Sequence, residues 1–411
     1  MTAAGAEPIN ELDLCFICDC TGSMGQYIKA AQDNIHAIVK KITESQGANV
    51  RFALVSYRDH PPQDQTYVTQ VGSFTTSLEE MRRYVDGMKA KGGGDGPEAV
   101  TAGLHAAFNL PWRPNATKVC VLIADAPPHG LEPSGDGFPN GDPDGLDPLD
   151  IARDMAVHSI TLYSVGCEPA LSQYRFARDF LCTVAETTGG QAVALSSAKL
   201  LADVIVNGSA EELCLSKLQR QVEDEVVKVQ MEARQAGKDI STEGAVEAAY
   251  TNLQARGMQS MQMCTDGYMQ NATKGSWGGV AEKKKLGAVK AKLCEGMPSE
   301  SPGGNLLMAS PSMAAPMPCV SGGGPGAPGA MPTPWSMPSM MMSNRAAPSM
   351  MGSCGGMMGA AAPAAAAPCG MMAPSTCPPK ASTTNYMATD LISQDQVARI
   401  VQRAQYQSRL L

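Results

Sequence analysis

A carboxylate and two hydroxyls follow the first apolar run of the chain at a spacing of two residues. They belong to Asp19, Thr21 and Ser23, and a helical pattern begins directly after them. Oxygen ligands of this kind are what a hard divalent cation such as Mg2+ prefers. Because the turn is short, the three side chains converge on one point, and the sequence predicts a metal site there.

Two further acidic loops point to the same chemistry. Asp95 lies in the glycine-rich segment 92–98, and Asp125 directly follows another apolar run. In a doubly wound sheet, ligands bind beyond the carboxyl ends of the strands, where these loops would meet. Acidic loops at one edge repel each other unless a cation neutralises them. His60 and His129 would lie on the rim of this edge, where they orient carboxylates, face solvent or favour zinc.

The elements that must position these loops alternate along residues 11–208. Runs such as Val119–Ile123 are apolar without alternation, which is typical of strands covered by helices on both sides. Between such runs lie helical patterns, the first of which has apolar residues at helical spacing from Ile28 to Ile42. We predict an α/β domain with a doubly wound, mostly parallel sheet.

The remaining half of the chain has a different character. Residues 211–295 read as a helical extension, with a second helical stretch from about Thr242 to Gln262. Residues 301–387 are rich in Met, Pro, Gly and Ala, which predicts a disordered tail. Residues 391–408 predict a short amphipathic helix, because Ser393 and Gln396 have capping-box spacing.

Composition limits the classes of function. The net charge of -8 and the 5% aromatic content argue against nucleic-acid binding, which requires a basic face. The sequence contains no apolar run of the roughly 18 residues that a membrane span needs, and it opens without a secretory leader pattern. We therefore expect a cytoplasmic protein without a membrane span, and the sequence leaves its oligomeric state open.

Four segments in order resemble a von Willebrand factor A-type domain with a metal-ion-dependent adhesion site. They are Asp19-Cys20-Thr21-Gly22-Ser23-Met24, Tyr57-Arg58-Asp59-His60, Gly92-Gly93-Gly94-Asp95-Gly96-Pro97-Glu98 and Asp125-Ala126-Pro127-Pro128-His129. The likeness covers residues 11–208 and is closer to the intracellular domains found in alpha-type-kinase proteins. Residues after 211 are too helical, and then too low in complexity, to form a kinase domain.

The resemblance implies a Rossmann-like fold and a set of metal ligands. By it, Asp19, Thr21, Ser23 and Asp125 hold Mg2+, or Mn2+ or Ca2+, directly or through water. The middle loop of the family usually offers a Thr, which this chain lacks there. We assign Asp95 to that position, because Thr101 lies further inside the following helix.

The function expected from this site is that of a divalent-metal-dependent protein-binding module or scaffold. A vacant coordination position would accept a Glu or Asp side chain from a protein partner. We expect no enzymatic activity, because the sequence has no GxxxxGK[ST] phosphate loop and no GxSxG elbow. The alternatives are a metal-dependent phosphoryl-transfer or kinase-associated protein, and a metal-free structural fold of the same family.

Overall fold

The computed structural model describes residues 11–46, 49–132, 134–265, 267–269, 285–294 and 386–408. The predicted disordered tail lies outside these ranges, apart from its last two residues, Tyr386 and Met387.

A six-stranded sheet forms the centre of the α/β domain. Its strands are β1 (Glu11–Asp19), β2 (Asn49–Tyr57), β3 (Thr69–Thr75), β4 (Thr117–Ala124), β5 (Ile160–Cys167) and β6 (Ala192–Leu195). Their spatial order is β3-β2-β1-β4-β5-β6, and only β3 is antiparallel to its neighbour. The sheet is mostly parallel, as the sequence predicted.

Helices cover both faces of this sheet. They include α1 (Gly25–Gln46), α2 (Leu78–Gly87), α3 (Val100–Phe108), α4 (Pro148–Val157) and α5 (Ala177–Thr187). In β1, Leu14 and Phe16 join the core that α1 and α2 cover, whereas Cys15 and Ile17 join the core that α3, α4 and α5 cover. Successive side chains of a strand point to opposite faces, so a strand buried on both faces is apolar throughout. The doubly wound α/β prediction is confirmed.

The order of the strands places three loops together. β1 lies between β2 and β4, and all three run parallel, so their carboxyl ends meet at one edge. The chain proceeds outward from β1 to β2 on one side and from β4 to β5 on the other, which makes this edge the switch point where ligands bind in such sheets. The loops that start at Asp19, Arg58 and Asp125 therefore face one another.

The C-terminal part is helical but also contributes a two-stranded sheet. The helices α6 (Leu201–Gln235) and α7 (Thr242–Ala255) are followed by β7 (Gln259–Cys264) and, after a gap, by α8 (Leu286–Cys294). The prediction of a helix as far as Gln262 was wrong. Gly257 adopts a left-handed φ of 69° and ends α7, and a left-handed glycine after a helix is a common stop signal.

The partner of β7 comes from the end of the chain. β8 (Tyr386–Leu391) pairs antiparallel with β7, so Tyr386 and Met387, placed by the sequence in the disordered tail, belong to a strand. The terminal helix α9 (Gln394–Gln407) follows, and its capping box between Ser393 and Gln396 is confirmed. None of the described helices is both long and apolar enough to cross a membrane.

The terminal helix packs on the helical extension through an apolar core. This core includes Leu215 and Val222 of α6, Leu253 of α7, and Val397 and Ile400 of α9. Contacts between residues so far apart in sequence tie the end of the chain to the extension.

Candidate metal centre

The first loop holds Asp19 in a fixed orientation. Asp19 Oδ1 accepts hydrogen bonds from the backbone N–H and the hydroxyl of Thr21, at 2.8 and 2.7 Å. Asp19 is fully buried, and its other oxygen, Oδ2, has no hydrogen-bond partner in the described structure. Buried carboxylate oxygens normally have partners, so this orphaned oxygen is available to a cation.

Ser23 and Asp125 complete the arrangement of the first and third loops. The Thr21 and Ser23 hydroxyl oxygens are 3.3 Å apart. Burial raises the pKa of Asp125, and the nearby Ser23 hydroxyl opposes that rise. Burial and the neighbouring Asp125 carboxylate raise the pKa of Asp19 well above its usual value. Ser23 is exposed, so the group has an opening to solvent. Four of the predicted ligands are therefore brought together.

Glu98 is a carboxylate of this group that the sequence analysis did not select. It is buried, and a Cβ added at Gly93 would lie 2.7 Å from Glu98 Oε1 and 3.4 Å from the Thr21 Cβ. Burial, together with the charges of Asp19 and Asp59, raises the pKa of Glu98 to about 11. Its Oε2 atom has no hydrogen-bond partner in the described structure.

The signal for Glu98 was present in the sequence but ambiguous. It precedes the helix α3 by two residues, and acidic residues are common there because they interact favourably with the helix dipole. Gly93 has a φ of 80°, which lets the glycine-rich loop pass close to the first loop. Thr101, the other residue considered, is buried in the first turn of α3 with an unpartnered hydroxyl.

Asp95 lies in a different group of side chains. Of the His, Cys, Asp and Glu side chains that the structure describes, only those of Asp59, Asp95 and His129 bring three ligand atoms within 4.8 Å of one another. Burial raises the pKa of Asp95 to about 6, and the Asp59 carboxyl contributes to this shift. The assignment of Asp95 to the first ion stays a prediction, and the contacts favour Glu98 as the carboxylate from the middle loop.

His129 is buried between two carboxylates. Its Nε2 lies 2.7 Å from Asp59 Oδ1, and its Nδ1 lies 2.8 Å from Asp136 Oδ1. Burial alone would lower the pKa of His129, but these two hydrogen bonds raise it to about 9. His60 lies beside it, with Nε2 3.2 Å from Asp142 Oδ2.

Arg58 connects three segments around the site through hydrogen bonds. This buried side chain donates to the Cys20 and Lys89 carbonyl oxygens, at 3.2 and 2.8 Å, and to the Thr66 hydroxyl at 2.7 Å. It thereby connects the loop after β1 to the loop after β2 and to the segment that leads into the glycine-rich loop. Hydrogen bonds from a charged donor are stronger than neutral ones, so Arg58 is a structural support for the site.

The donor types around Asp19 suit a hard cation such as Mg2+. The carboxylates of Asp19, Glu98 and Asp125 do not all approach within 4.8 Å of one another, since only the other group of described residues meets that distance. Mg2+ usually keeps several waters and takes only one or two carboxylates directly. The donor set, which contains carboxylates and hydroxyls, fits that ion.

A mostly parallel sheet with this acidic and hydroxyl-bearing edge defines the von Willebrand factor A class of domain. Residues 13–132 match the family model described as von Willebrand factor A domain, and this part of the chain is such a domain. Domains of this class are commonly metal-dependent protein-interaction modules.

Two curated proteins are similar to part of this chain. Alpha-protein kinase vwkA of Dictyostelium discoideum is 36% identical over 155 residues, which are 37% of this chain and 24% of that protein. The putative ariadne-like RING finger protein R811 of Acanthamoeba polyphaga mimivirus is 26% identical over 193 residues, 45% of this chain and 18% of that protein. The chain thus spans about a quarter or less of the length of these relatives.

Two solved structures also match part of this chain. A von Willebrand factor type A protein from Catenulispora acidiphila matches with a TM-score of 0.36 and 16% identity, over 50% of this chain and 43% of that one. The pilus adhesin SpaC from Lactobacillus rhamnosus GG, in its open conformation, matches with a TM-score of 0.39 and 12% identity, over 50% of this chain and 30% of that one.

Proposed function

We propose that the chain is a metal-dependent protein-binding module whose ion, Mg2+ or a similar divalent cation, accepts an acidic side chain from a partner protein. Asp19, Thr21, Ser23 and Asp125 hold the ion, and Glu98 contributes the carboxylate from the middle loop. The proposal assigns no catalytic residue.

The observation that carries this proposal is the orphaned oxygen Asp19 Oδ2. It belongs to a fully buried carboxylate that lies near Asp125 and Glu98. The other oxygen of this carboxylate accepts a hydrogen bond from Thr21. Several buried carboxylates without a cation among them would have to take up protons. A divalent ion removes that need and supplies the missing partner.

The exposed position of Ser23 supports the approach of a partner to the ion from that side. Asp19, Thr21 and Asp125 are buried, whereas Ser23 and Gly22 are exposed, so an ion held here would be reached from the Ser23 side. A carboxylate from a partner would complete the coordination at that side. If each of the three carboxylates and two hydroxyls supplies one oxygen, a six-coordinate ion keeps one position for the partner's carboxylate.

Thermal unfolding of the full chain tests the metal site. The midpoint is measured in EDTA and then in excess Mg2+ or Mn2+, for the wild type and for Asp19→Ala. Ligand at 100 times its dissociation constant stabilises the folded state by roughly 2.7 kcal/mol. We expect the shift in the wild type and not in Asp19→Ala, because the hydroxyls alone are too weak as ligands.

The matched control is Asp33→Ala. Asp33 is an exposed aspartate on α1 that pairs with Lys29, so its loss should leave the metal-induced shift unchanged. An Asp19→Ala chain that keeps the full shift would contradict the ligand assignment. Absence of any shift in the wild type would favour the metal-free structural alternative.

A displayed peptide library tests the acidic partner. Peptides selected on the full chain in Mg2+ should release in EDTA, and each should contain a Glu or Asp whose replacement by Gln or Asn abolishes binding. Selected peptides that bind equally well in EDTA would contradict the proposal. Metal-dependent hydrolysis of a phosphate ester by the purified chain would favour the phosphoryl-transfer alternative.

A further inference from the structure

A second group of potential ligands comes from three loops at the same edge of the sheet. Asp59 follows β2, Asp95 lies in the glycine-rich loop, and His129 follows β4. One ligand atom from each lies within 4.8 Å of the other two. An imidazole nitrogen with two carboxylates is a donor set that suits zinc and related transition metals better than Mg2+.

Two oxygens in this group lack partners. Asp59 is fully buried, and its Oδ2 atom has no hydrogen-bond partner, although Oδ1 accepts from the His60 backbone N–H and contacts His129. Asp95 Oδ1 is likewise buried without a partner in the described structure. These two carboxylates adjoin each other. Because ionised carboxylates are acceptors only, the partner that both oxygens lack must be a proton shared between them or a cation.

His129 is oriented as metal-binding histidines are. Asp136 Oδ1 lies 2.8 Å from Nδ1, and Asp136 Oδ2 also accepts from the Gly130 backbone N–H at 2.7 Å. A carboxylate on one ring nitrogen fixes the tautomer and leaves the other nitrogen for the ion. Here the other nitrogen, Nε2, points at Asp59.

We propose that Asp59, Asp95 and His129 bind a divalent transition-metal ion, with Zn2+ as the first candidate, and that Asp136 positions His129. On binding, the hydrogen bond between His129 Nε2 and Asp59 Oδ1 is replaced by two bonds to the ion. A proton on Nε2 leaves to solvent, and the Nε2 lone pair becomes the ligand. Three protein ligands leave the fourth position of a tetrahedral ion to water.

The ion would fasten the loop after His129 to the rest of the edge. The Gly137 backbone N–H donates to Asp95 Oδ2, and the Phe138 ring packs edge-on against His129, with centroids 4.8 Å apart. His60 contacts Asp142 in the same loop. Residues 134–142 are thus held by the residues that would ligate the ion or lie beside it.

Zinc binding by the full chain tests this site. The metal-free chain is dialysed against Zn2+ in the presence of excess Mg2+, and its affinity and bound zinc are measured. We expect one tight equivalent in the wild type, a loss of at least tenfold in affinity in His129→Gln and Asp95→Asn, and a loss of about 10–100-fold in Asp136→Asn. His105→Gln, which alters an exposed histidine of α3, is the matched control and should bind like the wild type.

Asp19→Ala separates this site from the proposed Mg2+ site. It should retain zinc while losing the Mg2+ response, because Asp19 is not among the zinc ligands. Hydrogen exchange of residues 134–142 gives a readout independent of any activity. Zinc should slow it in the wild type and leave it unchanged in Asp95→Asn.

Two results would overturn the proposal. One is a wild-type chain that binds no zinc, which would make His129 a protonated link between Asp59 and Asp136. The other is unchanged zinc affinity in Asp95→Asn, which would place the ion elsewhere in the chain. Asp95 is only partly buried, so this variant remains informative if His129→Gln fails to fold.

Discussion

Glu98 is a buried carboxyl of the candidate metal centre whose ionisation depends on the charges around it. Its pKa is raised from 4.5 to about 11 by burial and by the neighbouring aspartates, so the metal-free folded state holds a proton that the unfolded state gives up. Where the folded state binds more protons than the unfolded state, the free energy of unfolding falls as the pH rises. A cation favours the deprotonated form of Glu98 in the folded state, because it binds the carboxylate.

The first prediction concerns the pH dependence of the metal-free chain. The stability that protonated Glu98 contributes is fully present below about pH 4.5 and is lost progressively as the pH rises toward 11. Urea unfolding in EDTA from pH 5 to pH 9 should therefore show falling stability, with a shallower fall in Glu98→Gln. In excess Mg2+ the wild-type fall should diminish or reverse.

The control for this prediction is Glu79→Gln, which alters an exposed carboxylate in the first turn of α2. It should reproduce the wild-type slope. A Glu98→Gln chain with that same slope would contradict the account of Glu98.

At the scale of elements, the terminal helix α9 is joined to α6 by buried ion pairs. Arg403 Nη2 donates to Glu212 Oε2 at 2.8 Å, and Arg399 Nη1 lies 3.3 Å from Glu211 Oε2. Both arginines also donate to the Gly189 carbonyl oxygen, at the turn before β6. These contacts connect the last helix to the α/β domain as well as to the extension.

Replacing Arg403 by Met tests the strength of this connection. The Met side chain retains much of the apolar volume but removes the bidentate partner of Glu212, which keeps only the more distant Arg399, at 3.6 Å, as a cation. Removing one member of a buried pair costs about 3–5 kcal/mol. Urea unfolding should show that loss of stability in Arg403→Met.

The comparison for Arg403→Met is Arg82→Met. Arg82 pairs with Asp86 on α2, where the two side chains are 67% and 53% exposed. Exposed pairs contribute about 0–1 kcal/mol, so this variant should stay close to the wild type. Equal effects of the two variants would mean that burial of the Arg403 pair adds nothing to the stability.

At the scale of the whole molecule, the last described segment completes the core of the extension. β8 supplies the partner of β7, and α9 covers apolar side chains of α6 and α7, among them Val222 and Leu253. Without them, this apolar surface would be open to water, which is unfavourable in proportion to its area.

The sequence-based boundaries of domain, extension and tail remain predictions, as does a cytoplasmic location.

A chain that ends at residue 385 is the corresponding test. We expect a lower unfolding midpoint and stronger binding of a hydrophobic dye than in the full chain, because the apolar face of the extension loses its cover. A chain that ends at residue 408 keeps β8 and α9 and should match the full chain. Identical unfolding of the two truncated chains would contradict the structural role given to this segment.

The sequence by itself determined the features that depend on local pattern. The apolar runs and helical spacing of residues 11–208 sufficed to predict the doubly wound sheet, since a strand buried on both faces is apolar throughout. The position of Asp19, Thr21 and Ser23 at a strand end sufficed to group them. The capping box at Ser393 is equally local, because its partners are three residues apart.

Only the tertiary structure decided the features that depend on the paths of loops and on distant contacts. Glu98 and Asp95 are three residues apart, yet the fold of the glycine-rich loop directs them to different groups, through backbone angles that their spacing does not specify. The pairing of β7 with β8 joins segments more than 100 residues apart, so no local pattern of either predicts it. Contacts of this kind are set by the global packing of the chain, which is why Asp95 was selected from the sequence and Glu98 was not.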